Sequence, residues 1–93
     1  MATIPAGWTE EKTGLRKTFV LADFKEALAF VVEAGRLAEA VNHHPDIDIR
    51  WNKVTLVLFT HDAKAVTAKD YSMAEKVNGL AINALKAKVQ TLF

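Results

Sequence analysis

A change of periodicity at Pro45 constrains this chain more than any other feature. Before it, Phe24, Leu28, Val31, Gly35 and Ala38 recur at three- and four-residue intervals, with Lys25, Glu33, Arg36 and Glu39 between them. That spacing predicts an amphipathic helix. After it, Ile47, Ile49 and Trp51 alternate with Asp48 and Arg50, and residues 54–60 form an apolar run, so strands are expected. Proline has no amide hydrogen and clashes with the preceding turn, so the helix must stop before it. Asp23 and Glu26 have the spacing of a capping box and mark its start. The helix should run to about Asn42 or His43. Gly35 within the stripe predicts a close helix contact, at a propensity cost of about 1 kcal/mol relative to alanine.

The strands after Pro45 read as a hairpin. A two-residue loop at Asn52-Lys53 would set Trp51 opposite Val54 and His44 opposite His61. Apolar residues on both faces of 54–59 suit an interior strand. Upstream, residues 8–12 and 15–21 flank Thr13-Gly14 and predict a first hairpin, with either face of its second arm free to be the buried one. Thr67 and Asp70 form a second capping-box spacing, opening a helix whose apolar side is Met73, Val77, Leu80, Ala81, Ala84 and Leu85, weakened slightly by Gly79. The order strand, strand, helix, strand, strand, helix indicates an α+β fold, a four-stranded antiparallel sheet with two long helices packed on one face. A single domain spanning residues 1–93 is expected.

Composition narrows the function classes. A net charge of +1 with dispersed lysines offers no basic stripe to nucleic acid. The lack of cysteine removes thiolate chemistry and disulfides. MATIPAG shows no signal pattern, and no apolar run approaches the length of a membrane span. The chain reads as soluble and cytoplasmic.

All three histidines, His43, His44 and His61, lie within residues 39–70, and the hairpin brings them to one place. Neighbouring imidazoles repel one another's positive charge, so one tends to stay neutral while another holds a proton, which makes an acid and a base near neutral pH. Glu39, one turn before His43, either fixes that ring or is solvated. Plainer readings stand beside these. A His-His-Pro at a helix end is also a capping and turn feature, Asp70 is a natural first-turn charge paired with Thr67, and Trp51 suits a core position. Three imidazoles and a water would also make a catalytic zinc site. Adjacent His43 and His44 do not readily aim at one ion, however, and a His-x-x-x-His spacing is missing, so no metal is expected.

Taken together, Glu39, His43-His44-Pro45, Trp51, His61 and Asp70, at these spacings, resemble the diagnostic segment of the pterin-4a-carbinolamine dehydratases. Weaker likeness runs from Gly7-Trp8 through Phe24 to roughly Leu85. The chain departs from the family pattern at Lys64-Ala65, where two glycines are frequent, and at Trp51, where tyrosine is common. The resemblance implies dehydration of a 4a-hydroxytetrahydropterin to the quinonoid dihydropterin, in recycling of tetrahydrobiopterin alongside an aromatic amino-acid hydroxylase. It implies a pterin held between His43, His44 and His61, with His44 and His61 as base and acid in either order. His43, at a helix C-terminus that favours a cation, would orient or stabilise the ring. Asn42, Thr60 and Asp62 would supply polar contacts to the pterin edge, with Trp51 as a wall and Asp70 as a further binding residue. No bound cofactor is implied. Family members assemble through sheet edges and helix faces, so a homodimer or homotetramer is expected, in keeping with the limited burial available to 93 residues. Mammalian members also serve as a dimerisation cofactor for a homeodomain transcription factor. A non-catalytic interaction or transcriptional co-regulator module of the same fold is therefore the alternative.

Overall fold

The computed structural model describes residues 3–80 and 85–93. The chain runs β1 (Thr9–Glu11), β2 (Gly14–Val20), α1 (Phe24–Val41), β3 (Asp46–Arg50), β4 (Lys53–Leu58), α2 (Ala68–Asn78) and α3 (Leu85–Leu92). Its strands form one four-stranded antiparallel sheet in the order β1-β2-β4-β3, so the α+β class read from the sequence holds and β4 is interior. The helices cover one face. That face takes Leu15 from β2 and Val54, Leu56 and Leu58 from β4, all fully buried, against Phe30, Met73, Val77 and Leu85. Arg16, Thr18 and Val20 point the other way, where Thr18 and Thr55 exchange a hydroxyl hydrogen bond of 2.8 Å. Trp8, Phe19 and Phe30 continue the core as an edge-to-face and a tilted ring pair, with centroids 6.0 and 4.7 Å apart.

Helix α1 starts as its sequence predicts. Asp23 accepts from the Glu26 amide at 2.8 Å, satisfying one donor that the first turn leaves unpaired, while Glu26 reaches past the Asp23 amide expected of a capping box to that of Ala22 at 3.2 Å. The buried face differs from the expected stripe. Ala27, Phe30, Ala34 and Ala38 are buried, whereas Phe24 is 46% exposed and Leu28 and Gly35 are only partly covered. Alanines let this helix sit close to the sheet, and Phe30 fills the space between; the expected stripe includes Ala38 but misses Ala27, Phe30 and Ala34. Nothing lies within 4 Å of a Cβ built on Gly35, so the close contact expected there is absent within the chain.

Both hairpin loops sit one residue earlier than expected. Arg50 pairs with Lys53 and Ile49 with Val54, which makes Trp51-Asn52 the connection, with Trp51 in the left-handed region at φ 51. Asn52 fixes this register. Its side chain donates to the Leu21 carbonyl at 3.0 Å, and its own carbonyl accepts from the Leu21 amide at 2.8 Å. In the first hairpin Glu11 pairs with Gly14, so the turn is Lys12-Thr13. Gly14 opens β2 at φ 136, and a Cβ there would lie 2.3 Å from the Leu58 carbonyl oxygen, which only glycine avoids.

The second long helix is also corrected. Helix α2 begins at the predicted capping box, Thr67 with Asp70, but ends at Asn78. Gly79 caps it, its amide bonding the Glu75 and Lys76 carbonyls at 3.1 Å. Glycine costs a helix interior about 1 kcal/mol and gains nothing from side-chain packing, so here it terminates the helix it was expected only to weaken. Leu85 belongs to α3, which packs on α1. Ala81 and Ala84, assigned to the apolar side, lie outside the described residues. Asn78 anchors the end of α2 to the N-terminal segment, accepting from Trp8 Nε1 at 3.0 Å and from Lys17 Nζ at 2.8 Å and donating to the Ala6 carbonyl at 3.0 Å. Among the described residues no helix is long and apolar enough to cross a membrane.

Candidate active site

The end of α1 positions the first two histidines. Asn42 adopts the left-handed conformation, φ 50 and ψ 46, its amide bonding the Glu39 carbonyl at 3.3 Å while the His43 amide bonds the Ala38 carbonyl at 3.0 Å. This is the paired closure that stops a helix by turning its last amides inward, and asparagine tolerates the backbone it requires. The chain leaves in a new direction at His43. Pro45 then forbids any return to helix before β3 begins at Asp46.

His43 and Asp70 form the buried part of the site. His43 Nε2 lies 2.6 Å from Asp70 Oδ1, with the histidine side chain 14% exposed and the aspartate fully buried. The other oxygen of Asp70 accepts from Thr60 Oγ1 at 2.7 Å and from the Thr67 amide at 2.8 Å. Because the Thr60 proton goes to the carboxylate, the 2.7 Å contact between the two threonine hydroxyls must be donated by Thr67. Both oxygens of Asp70 are thus engaged, and no buried side-chain nitrogen or oxygen among the described residues is unsatisfied. With Asp70 accepting at Nε2, a neutral His43 keeps its lone pair on Nδ1.

The other two histidines face solvent. His44 Nε2 meets Glu39 Oε2 at 2.5 Å, both side chains more than half exposed. Glu39 therefore pairs with His44 and not with the ring one helical turn away. His61 follows β4 and stands edge-on to Phe59, with centroids 5.3 Å apart at 70°. The turn after it is closed by the Lys64 amide on the His61 carbonyl at 3.1 Å and by the pairing of Thr60 with Ala65. Lys64 takes φ 53 in this turn. The loop where glycine is frequent thus reaches the left-handed geometry with a lysine, at a cost of about 1 kcal/mol.

Asn42, His43, His44, Phe59, Thr60, His61, Asp62 and Lys69 enclose a cleft of about 210 Å³. Six residues named from the sequence are in this wall: Asn42, His43, His44, Thr60, His61 and Asp62. Asp70 lies beneath it and reaches the cleft only through His43 and Thr60. Trp51 is not part of it. At 67% exposure it occupies the turn at the opposite end of the β3–β4 hairpin, so it neither walls the cleft nor joins the core. The loop shift that puts Trp51 in the connection is what carries it outward. His44 and His61 do not pair directly either, because the β3–β4 ladder ends at Asp46 and Val57, but both still line the cleft. Phe59 and Lys69 were not legible as site residues. Phe59 reads from the sequence only as the apolar end of a strand, and nothing in the spacing of residues singles out Lys69. Among the described residues no cluster of three or more histidine or carboxylate groups is arranged to hold a metal ion. His43 and His44 turn their Nε2 atoms to different carboxylates.

Residues 1–80 match the family model described as pterin 4 alpha carbinolamine dehydratase. A Roseiflexus castenholzii protein provisionally named a pterin-4-alpha-carbinolamine dehydratase is 56% identical over 72 residues, covering 77% of each chain. Among solved structures, a transcriptional coactivator/pterin dehydratase from Brucella melitensis matches with a TM-score of 0.77 and 33% identity, over 82% of this chain and 83% of that one. A pterin dehydratase-like protein described as a RuBisCO assembly factor in the alpha-carboxysome shares the fold, with a TM-score of 0.69 over 85% of this chain and 94% of that one, at 22% identity. On the family model and the curated relative together, this chain belongs to the pterin-4-alpha-carbinolamine dehydratase family.

Proposed function

We propose that the chain dehydrates a 4a-hydroxytetrahydropterin to quinonoid dihydropterin and water. The carrying observation is a cleft ringed by three imidazoles, one clamped by a buried carboxylate and two open to solvent. In the reaction the C4a–O bond breaks and the hydroxyl leaves as water after accepting a proton, while the adjacent ring nitrogen gives up its proton. An ordinary imidazole, with a pKa of about 6.5, can do either task near neutral pH. His44 and His61 are the acid and base, since exposed rings can exchange protons with solvent between turnovers. His43, held by Asp70, orients the pterin and opposes charge building on it. Asn42 and Asp62 offer polar contacts to the pterin edge, and Phe59 a flat apolar wall. In this reading the reaction recycles a tetrahydropterin after aromatic amino-acid hydroxylation.

The test is ultraviolet spectroscopy of freshly generated 4a-hydroxytetrahydropterin with and without the protein. Catalysed decay is expected, and exhaustive chelation should leave its rate unchanged. A rate lost to EDTA and restored by zinc would replace this mechanism with a metal site.

A symmetric homo-oligomer belongs to the same proposal. Ile47 on edge strand β3 and Phe24 on α1 are 40% and 46% exposed, and such apolar surface is what a second copy would cover. Sedimentation equilibrium at micromolar protein should report a multiple of the 10.3 kDa chain mass. A stable, folded monomer would reject the assembly and leave the chemistry untouched.

The relative described as a transcriptional coactivator supports a second reading, a protein-interaction module on this fold. All three histidines line the cleft, and His43 and His44 each have a carboxylate partner, which favours the enzyme.

A further inference from the structure

A second cleft, of about 330 Å³, adjoins the histidine cleft and shares His43 and Lys69 with it. The histidine cleft alone is smaller than the roughly 300–1,000 Å³ usual for small-molecule sites, and the second brings the pair within that range. One side of α2 builds it. Lys69, Ser72, Met73 and Lys76 stand at spacings of three, four and seven, hence on one helix face, and Val41 at the end of α1 stands with them in the lining. Met73 is 1% exposed and forms an apolar floor, with Val41 and Ala68 beside it. The charged groups in the wall are cations or the imidazole of His43, and there is no carboxylate among them. Among the described residues neither Lys69 nor Lys76 is in a salt bridge. Lys69 sits in the first turn of α2, where a cation opposes the helix dipole, so helix stability does not account for it.

We infer that this second cleft holds the substituent carried by the pterin ring, and that it selects one with an apolar body and an anionic end. The inference rests on the pterin reading of the histidine cleft. A ring seated among His43, His44 and His61 would direct its substituent past the shared wall of His43 and Lys69. An aryl or alkyl segment would lie on Met73 and Val41, and a terminal carboxylate or phosphate would meet Lys69 and Lys76, with Ser72 as a hydrogen-bond donor. A short neutral hydroxyalkyl group would leave the cleft to water.

Fluorescence titration with stable oxidised pterins tests this apart from turnover. Three probes are used: one with a hydroxymethyl group, one with a benzoyl-linked carboxylate chain, and one with a phosphate-terminated chain. At low salt the wild-type protein should bind one or both anionic probes roughly tenfold more tightly than the neutral one, the sum of two ion pairs of ordinary surface strength. The tighter of the two identifies the end group. The preference should fade with salt and largely vanish in the double variant Lys69→Gln, Lys76→Gln, with circular dichroism confirming that the helix persists. Equal affinity for all three probes in the wild type would overturn the inference while leaving the pterin reading intact. So would an anionic preference that survives in the double variant. Failure of every probe to bind would remove both.

Discussion

The double variant His44→Ala, His61→Ala is expected to bring turnover of 4a-hydroxytetrahydropterin down to the spontaneous rate without unfolding the protein. Each histidine alone should account for a loss of the 10² to 10⁴ typical of a general acid or base. The structural cost is small because both side chains are exposed. The His44–Glu39 contact joins two solvated groups, and such pairs contribute less than about 1 kcal/mol. His61 has its edge contact with Phe59 and no side-chain hydrogen-bond partner among the described residues. A thermal melt unchanged within a few degrees, beside a rate indistinguishable from buffer, is the expected pair of measurements. If the double variant turns over at the wild-type rate, the acid-base assignment is wrong whatever the cleft binds. Should one single variant abolish turnover and the other leave it intact, His44 and His61 would not together be the acid and base.

The catalytic candidates were legible in the sequence because they depend on coarse features. A helix stopped by Pro45, a hairpin after it and a capping box at Thr67 bring residues 42–44, 60–62 and 70 together even when the hairpin register is two steps off in the paired sum. Side-chain alternation survives a slip of that size, so the same strand faces remain buried. What could not be read were partners chosen by rotamers and by exact depth. Glu39 lies four residues before His43 but five before His44, and helical spacing favours the first pairing; the left-handed turn at Asn42 swings His44 onto Glu39 instead. Trp51 failed for a related reason. Alternation put it in the strand, while the double hydrogen bond between Asn52 and Leu21, 31 residues apart in sequence, pulled it into the turn. Of the buried face of α1 the expected stripe held only Ala38, and Ala27 and Ala34 were missed because hydrophobic spacing gives weight to size. Close approach of a helix to a sheet selects smallness.

Asp70 is where stability and chemistry should separate by choice of substitution. Its carboxylate is fully buried and accepts from His43, Thr60 and the Thr67 amide. Asp70→Ala would leave three donors without their acceptor and open a small void, so a loss of about 3 kcal/mol is expected. In a domain of this size that lowers Tm by roughly 10–20 °C and takes much of a stability of about 5–15 kcal/mol. Asp70→Asn is nearly isosteric, but its amide offers only one accepting oxygen. Facing that oxygen to Thr60 and the Thr67 amide keeps the cap of α2 and turns the NH₂ group toward His43 Nε2. The imidazole must then accept at Nε2 and carry its proton on Nδ1, the reverse of the arrangement Asp70 imposes. The asparagine variant should therefore melt much closer to wild type than the alanine variant and yet turn over roughly 10²-fold more slowly, the lower end of what an acid-base group contributes. Nitrogen-15 chemical shifts of the His43 ring give a readout that mere loosening would not produce, because Nδ1 and Nε2 should exchange their protonated and unprotonated signatures. Unchanged ring shifts with an unchanged rate would reduce Asp70 to a helix cap, and His43 would then owe its place in the cleft to the left-handed turn at Asn42 alone.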